Sequence, residues 1–409
     1  MALLQALEST PYLNAAILAA VLAAALVLLS PKLENNRLWR ATITPLASII
    51  GSGFLVIGPI LSTSYGEYAP IVMVGLCLVA YLFGMAIRYN IAQRADASDA
   101  RGASVQGLEM AASWSLGIAY IISVAYYLNL FGAFGVSLTN VDDPLHAKIL
   151  TTAVYLLILI VGWTRGFKAL EHLEYFSVAG KLAIISGLIV GLIAHFGAAY
   201  SSGELVANAA KLSGWPALTL AFGLIVTVQG FETSRYLGKE YDSDTRIRSM
   251  RLAQWSSTMI YVVYILLVTY AFDNVQVKLT ETAIVDMMHV VAPILPALLV
   301  AAALAAQFSA AVADTGGGGG LIAELTAERL SIRQAYAVLV VLGLVLTWSA
   351  NVFEIISYAS RAFAIYYGLQ AAIACVEARS NGHHGQSTAF GALAMLGLLI
   401  AVFGQAVEG

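Results

Sequence analysis

The feature that most constrains this chain is a series of apolar segments, each long enough to cross a lipid bilayer. At about 1.5 Å per helical residue, about 20 residues span the hydrocarbon core of a membrane. With 60% hydrophobic and only 11% charged residues over 409 positions, the chain has too little polar surface for a soluble globule. The sequence therefore predicts an all-α integral membrane protein with about 12 transmembrane helices. Their approximate centres lie near residues 20, 52, 79, 119, 155, 185, 225, 263, 301, 341, 364 and 397.

Basic residues in the loops predict the orientation of these helices. Lys and Arg are enriched in cytoplasmic loops, and here they are concentrated in alternate loops. The opposite loops hold only Lys148, Lys211 and Lys278. Both termini are therefore expected outside the cytoplasm, in the cell (inner) membrane. The predicted cytoplasmic group comprises Lys32, Arg37, Arg40, Arg88, Arg94, Arg101, Arg165, Lys168, Lys239, Arg246, Arg248, Arg251, Arg329, Arg333 and Arg379.

Two of the apolar segments are interrupted in the middle. The first contains Ile49-Ile50-Gly51-Ser52-Gly53-Phe54, and the second contains Gln229-Gly230-Phe231-Glu232. A glycine costs a helix interior about 1 kcal/mol relative to alanine, and an ionisable group at membrane depth is usually functional. Paired interruptions in corresponding segments of two halves are typical of secondary transporters whose substrate site is made of unwound backbone.

The position of the two breaks predicts an internal repeat. Without the first and last segments, ten remain, in two sets of five that start near Ala41 and Trp215, and each set begins with an interrupted helix. An odd number of crossings per set makes the two sets run in opposite directions. We therefore predict an extra N-terminal helix and cytoplasmic loop (1–40), a first five-helix repeat (41–200), a second, inverted repeat (201–380) and an extra C-terminal helix (381–409).

Several motifs resemble those of the amino acid-polyamine-organocation (APC) superfamily, whose members have the LeuT-type fold. The resemblance implies a 5+5 inverted repeat and secondary active transport by alternating access. Ile50-Gly51-Ser52-Gly53-Phe54 resembles the broken first core helix of that superfamily. Gly230-Phe231-Glu232-Thr233, with Lys239-Glu240 and Arg246, resembles the sixth core helix and its exit. Arg165-Gly166-Phe167-Lys168 followed by Lys181-Leu182 resembles the loop between core helices four and five and the start of helix five, and Phe363 to Tyr367 resembles core helix ten.

The candidate substrate site is the backbone and side chains of the two breaks. Unwinding exposes the amides of Gly51, Ser52 and Gly53 at a helix N-terminus, which favours an anion such as a substrate carboxylate. Carbonyls of residues 47–49 and 227–230 could accept from an ammonium group or coordinate a cation. Close helix packing is the alternative reading of the glycines. The predicted substrate-binding residues are Ser48, Ile49, Gly51, Ser52, Gly53, Phe54, Gln229, Gly230, Phe231 and Glu232.

Candidate coupling residues are Lys181, Ser309 and Asp314. The resemblance implies that a lysine at the place of Lys181 stands where sodium-coupled relatives bind a cation, between core helices one and eight. A desolvated lysine loses its proton more readily, although Lys181 could instead extend to the interface. Ser309 and Asp314 could line a cation site if sodium is the coupling ion, and Asp314 could neutralise Lys181. The run Gly316 to Gly320 predicts a helix end or a hinge, and Glu109 is an alternative gate residue.

The sequence thus favours a transporter of a small organic solute, an amino acid or an amine, coupled to protons or to sodium. The same fold could instead carry an inorganic cation such as potassium. A remote alternative is an intramembrane hydrolase that uses Ser52, but this needs a histidine base, and the six histidines fall in loops or near interfaces. Cys77 and Cys375 lie in apolar runs, so no cofactor or metal site is predicted. The expected partners are the substrate, the coupling ion and the lipid bilayer, without nucleic acid.

We expect a single cysteine in either terminal tail to react with a membrane-impermeant reagent in intact cells, because the charge bias places both tails outside. Modification that appears only after permeabilisation would contradict this orientation.

Overall fold

The computed structural model describes residues 2–51, 53–96, 102–164, 168–273 and 279–407. Regular structure in these ranges is entirely helical, as predicted. The motif Arg165-Gly166-Phe167 lies outside the described residues. The helices are α1 (Ala2–Leu28), α2 (Pro31–Glu34), α3 (Arg37–Ile49), α4 (Gly53–Tyr65), α5 (Ala69–Asp96), α6 (Ala103–Val136), α7 (Pro144–Thr164), α8 (Lys168–Ser202), α9 (Gly214–Gly223), α10 (Thr233–Tyr236), α11 (Ser243–Ala271), α12 (Ala283–Val291), α13 (Leu295–Leu325), α14 (Ile332–Ser349), α15 (Val352–Ser380) and α16 (His384–Phe403), with 3₁₀ turns at Gly66–Tyr68, Ile225–Val228 and Leu237–Lys239.

Nine helical segments of the described chain are long and apolar enough to cross a membrane. The two interrupted segments divide into shorter pieces, of which α3 has 13 residues and α9 has 10. α15 is also long, with 29 residues, but it contains charged residues such as Glu354 and Arg361 and is not one of the nine. The nine segments are Pro11–Leu28, Gly53–Arg94, Ser104–Val136, Pro144–Thr164, Tyr175–Ser202, Ser243–Ala271, Leu295–Leu325, Ile332–Ser349 and His384–Phe403.

The long helix α6 lies at the centre of the bundle. It packs against α7, α13, α14 and α15, while α11 packs against α3, α4 and α5. The 3₁₀ turn Ile225–Val228 contacts both α4 and α15. The two interrupted segments are therefore enclosed between α6, α11 and α15, which position the candidate site.

Helix α1 lies at the edge of the bundle and packs against α8. Ile17 is fully buried where α8 presents Gly187 and Gly191. A Cβ added at Gly187 would lie 2.6 Å from Val21 Cγ2, so the two backbones can approach only because a small residue stands there. The Tyr175 hydroxyl donates to the Leu28 carbonyl at 2.6 Å. The Ser186 hydroxyl lies 3.2 Å from the Ala20 carbonyl, so small residues and two hydroxyls hold α1 on α8.

The glycine run Gly316 to Gly320 lies inside α13, which continues to Leu325. The expected helix end is therefore wrong, whereas the hinge stays a prediction. A Cβ on Gly319 would overlap the Tyr336 ring, and one on Gly318 would lie 3.2 Å from Tyr120 Cβ. The run gives α13 a flat face for α6 and α14, and this close packing offsets the low helix propensity of glycine.

Candidate functional site

The two interrupted segments cross in direct backbone contact. Gly53 begins α4 opposite the 3₁₀ turn of the second segment, and a Cβ there would lie 2.8 Å from Thr227 Cα. Gly230 lies against the first segment, where a Cβ would be 2.6 Å from the Ser48 carbonyl carbon. Its φ of +117° is also one that L side chains rarely adopt. Both glycines are therefore required where the two segments cross. Close packing of the two backbones explains their presence, and their role in a substrate site stays a prediction.

Protein groups already bind the carbonyls that the breaks leave free of helical hydrogen bonds. The Tyr261 hydroxyl on α11 lies 2.9 Å from Ile49 O and 2.6 Å from Thr227 O. It has one proton, so it donates to one of these carbonyls at a time while it contacts both segments. Lys181 Nζ donates to Ala47 O at 2.8 Å. Three of the carbonyls that the sequence suggested for a ligand, those of Ala47, Ile49 and Thr227, thus bind side chains of α8 and α11 and hold these helices against the crossing.

A serine on α15 replaces the helical hydrogen bonds at the end of α9. The Ser360 hydroxyl accepts from Val226 N at 3.1 Å and donates to Gly223 O at 2.7 Å. A buried helix end without such partners would leave backbone groups unsatisfied. Ser360 therefore stabilises the irregular backbone just before the second break.

Glu232 is buried at the second break and accepts hydrogen bonds on one oxygen. Its Oε2 accepts from Gly230 N at 3.0 Å and from the Tyr367 hydroxyl at 2.8 Å. The Tyr367 oxygen also lies 3.2 Å from Gln229 Oε1, and Gln229 Nε2 is 3.4 Å from the Tyr127 oxygen. The predicted residues Gln229, Gly230 and Glu232 therefore form one polar cluster, closed by tyrosines from α6 and α15.

Asp314 joins this cluster from α13. Its carboxyl accepts from the Ser123 hydroxyl on α6 and is close enough to Glu232 for electrostatic interaction. Tyr120 and Tyr127 are within electrostatic range of both carboxyls. Sequence reasoning grouped Asp314 with the coupling residues, because a helical pattern alone does not show which neighbour a polar residue of a buried helix faces.

Lys181 lies beside the first break, as predicted, and is 8% exposed. Because its ammonium reaches Ala47 O, its side chain does not extend to the interface as the snorkelling alternative requires. Gly51, Phe54 and Gln307 line a small cavity next to it. Ser309 is half-buried on α13, two residues after Gln307.

The remaining predicted residues shape the crossing by packing. Phe54 lies between two tyrosine rings of α11, with centroids 5.3 Å from Tyr261 and 4.4 Å from Tyr264. Phe231 stacks on Tyr367 at 5.0 Å. Ser48 and Ile49 meet Gly230 through their backbone. Ser52 lies outside the described residues.

A second polar cluster follows the second break along the chain, at the end of α10. Arg235 is buried and donates to both oxygens of Glu109 on α6, at 2.8 and 2.6 Å. It also donates to Gln370 on α15, whose carbonyl accepts from Asn90 of α5 at 2.9 Å. Sequence reasoning identified Glu109 as an alternative gate residue but missed the other three. An arginine three residues after Glu232 in an apolar segment was the available signal.

Many membrane-length helices and two crossed helix breaks around buried carboxyls define a multi-pass membrane protein of the transporter class. The sequence model of a family described as APC superfamily transporter matches residues 31–404. This chain belongs to the APC superfamily of transporters. It is also 42% identical over 390 residues to an uncharacterised protein of Aquifex aeolicus (strain VF5), and this match covers 94% of this chain and 95% of that protein.

We expect Gly53→Ala and Gly230→Ala each to lower the melting temperature of the purified protein. The added methyl group would force the crossed segments apart, and overpacking of this kind costs about 1–3 kcal/mol. Gly75→Ala on α5 is the matched control, because nothing lies within 4 Å of a Cβ at that position. If the Gly53 and Gly230 variants melt like the control, the crossing is not in tight contact.

Proposed function

We propose that this protein is a secondary active transporter that moves an amino acid or a small amine across the cell inner membrane by alternating access, coupled to protons. The observation that carries the proposal is Glu232, a carboxyl buried at the crossing of two helix breaks. Irregular backbone at membrane depth is tolerated where protein encloses it or where it lines a cavity. A buried ionisable group at such a place is expected to be functional.

The chemistry of the cluster favours a substrate with an ammonium group. The contacts that the described residues give Glu232 and Asp314 are hydroxyl groups and a backbone amide. An ionised carboxyl removed from water is stabilised chiefly by a cation. A substrate ammonium group supplies one, and the tyrosine rings beside it add cation–π attraction. The N-terminus of α4, at Gly53, favours the carboxylate of an amino acid.

The order of the helices supports a LeuT-type arrangement with twelve crossings. In this arrangement α3–α4 and α5 to α8 form the first repeat, and α9–α10, α11, α13, α14 and α15 form the second. Helices α1 and α16 are the extra crossings, and the family match begins at residue 31, after α1. The charge bias then puts both termini outside and the Arg235 cluster on the cytoplasmic side, where its ion pairs would have to open for release.

The position of Lys181 supports coupling to protons. Its ammonium lies between the first break and α13, where a fixed positive charge would repel sodium. Release of the proton would weaken the bond to Ala47 O and with it the contact between α8 and the first break. A proton can thereby favour one conformation over another.

A thermal-shift screen of the purified protein tests the substrate class. Amines or amino acids should raise the melting temperature, since a ligand at 100 times its Kd stabilises the folded state by about 2.7 kcal/mol. Asp314→Asn and Glu232→Gln should reduce this shift, and Asp244→Asn, in an exposed ion pair with Arg248, should not. Stabilisation by potassium alone would favour the cation alternative, and no shift with any ligand would contradict the proposal.

Lys181→Ala should abolish accumulation driven by a proton gradient in proteoliposomes, while substrate exchange without a gradient persists. The reason is that the variant lacks the Lys181 amine, the group to which we assign proton binding at the first break. Lys148→Ala is the matched control, because this half-buried lysine of α7 lies 6.0 Å from the Trp348 ring centroid and belongs to neither break. Uptake driven by a sodium gradient with Lys181 intact would contradict the coupling role assigned to this residue.

A further inference from the structure

A small cavity lies between α4, α8 and α13, beside the first break. Its volume is about 10 Å³, close to the roughly 10–15 Å³ that one water molecule requires. Aliphatic and aromatic side chains form most of the wall. Lys181 and Gln307 are the lining residues with polar side chains.

Gln307 is the unusual member of this wall. It is fully buried, and among the described residues neither its amide nitrogen nor its carbonyl oxygen has a protein hydrogen-bond partner. A carboxamide offers two donors and an acceptor with two lone pairs. Buried side-chain amides are satisfied by protein or by ordered water in the large majority of structures. A water in the adjoining cavity is the partner that its position allows.

Lys181 provides the second ligand that such a water needs. A buried water makes two to four hydrogen bonds, and an ammonium group has three N–H donors. One of these donors is directed to Ala47 O at 2.8 Å. Because Lys181 and Gln307 line the same water-sized cavity, one molecule can accept from the ammonium and donate to the carboxamide oxygen.

We propose that this cavity binds one water molecule between Lys181 and Gln307, and that Gln307 is thereby a positioning residue for the Lys181 ammonium. The water fixes the ammonium on the α13 side, as Ala47 O does on the α3 side. The site therefore ties α13 to the first break through α8.

The water also gives the buried ammonium a proton acceptor. In the transfer an N–H bond of Lys181 breaks, an O–H bond forms on the water, and the excess proton passes to further water when the site opens to solution. This step rests on the proposed coupling role of Lys181, whereas the binding of the water does not.

A double-mutant cycle on melting temperature tests the site. With Lys181 present, Gln307→Met should lower the melting temperature, by about 2 °C, because the water loses a ligand and the ammonium loses its partner. In the Lys181→Met background the same substitution should raise it, because a carboxamide without the ammonium is then only an unsatisfied polar group. Gln254→Met is the matched control. That glutamine donates to Ala80 O and accepts from Arg88, so its effect should be the same in both backgrounds.

Two results would overturn the proposal. A rise in both backgrounds would show a dry cavity with an unpaired carboxamide, and an equal fall in both would show that Gln307 acts without Lys181. If Lys181→Met does not fold, Gln307→Asn and Gln307→Leu provide the test with Lys181 intact. Asn should retain more stability than Leu if a carboxamide binds the water, and a more stable Leu variant would contradict it. Because the cycle needs no transport, failure of the coupling role would appear only in the proteoliposome assay.

Discussion

Backbone contact between two unwound segments, in a medium that cannot solvate them, is the constraint on which the rest of this structure depends. Inside a bilayer every exposed N–H and C=O must find a partner in the protein. Tyr261, Ser360 and Lys181 supply these partners from α11, α15 and α8. Each of the three helices is therefore attached to the crossing by a side chain that completes irregular backbone. If any of these helices moves, its hydrogen bond to the backbone of the crossing must change. A small change at the crossing can therefore be transmitted to a whole helix.

The charged groups in this bundle differ in the kind of partner that each of them has. Glu232 is held at the crossing by two neutral donors, the Gly230 amide and the Tyr367 hydroxyl. Lys181 donates to a backbone carbonyl, that of Ala47. Arg235 and Glu109 neutralise each other near the end of α10. Breaking a largely buried pair of this kind costs several kcal/mol, so it holds α10 firmly against α6.

Apolar periodicity and the two breaks were sufficient to predict an all-helical membrane protein and the place of Glu232, because both signals are local in sequence. The partners at the crossing were not predictable. Tyr261 contacts Ile49 from 212 positions away, and tyrosine and serine are ordinary residues of apolar helices. The helix end expected at the glycines of α13 was wrong for the same reason, since the Tyr336 ring against Gly319 and the Tyr120 side chain against Gly318 belong to other helices. Gln307 carries no sequence signal, because only burial without a partner makes a glutamine unusual.

The peripheral position of α1 has a consequence for how the protein is assembled. Gly187, which receives Ile17, follows it by 170 residues in the chain. At a synthesis rate of about 5–20 residues per second, α1 waits roughly 10–30 s in the bilayer before its binding surface on α8 exists. During that interval it must remain inserted as a single helix, with lipid in place of α8. Its uninterrupted apolar stretch Pro11–Leu28 meets this requirement, whereas the halves of the broken segments are too short to do so and must enter the membrane together with their neighbours.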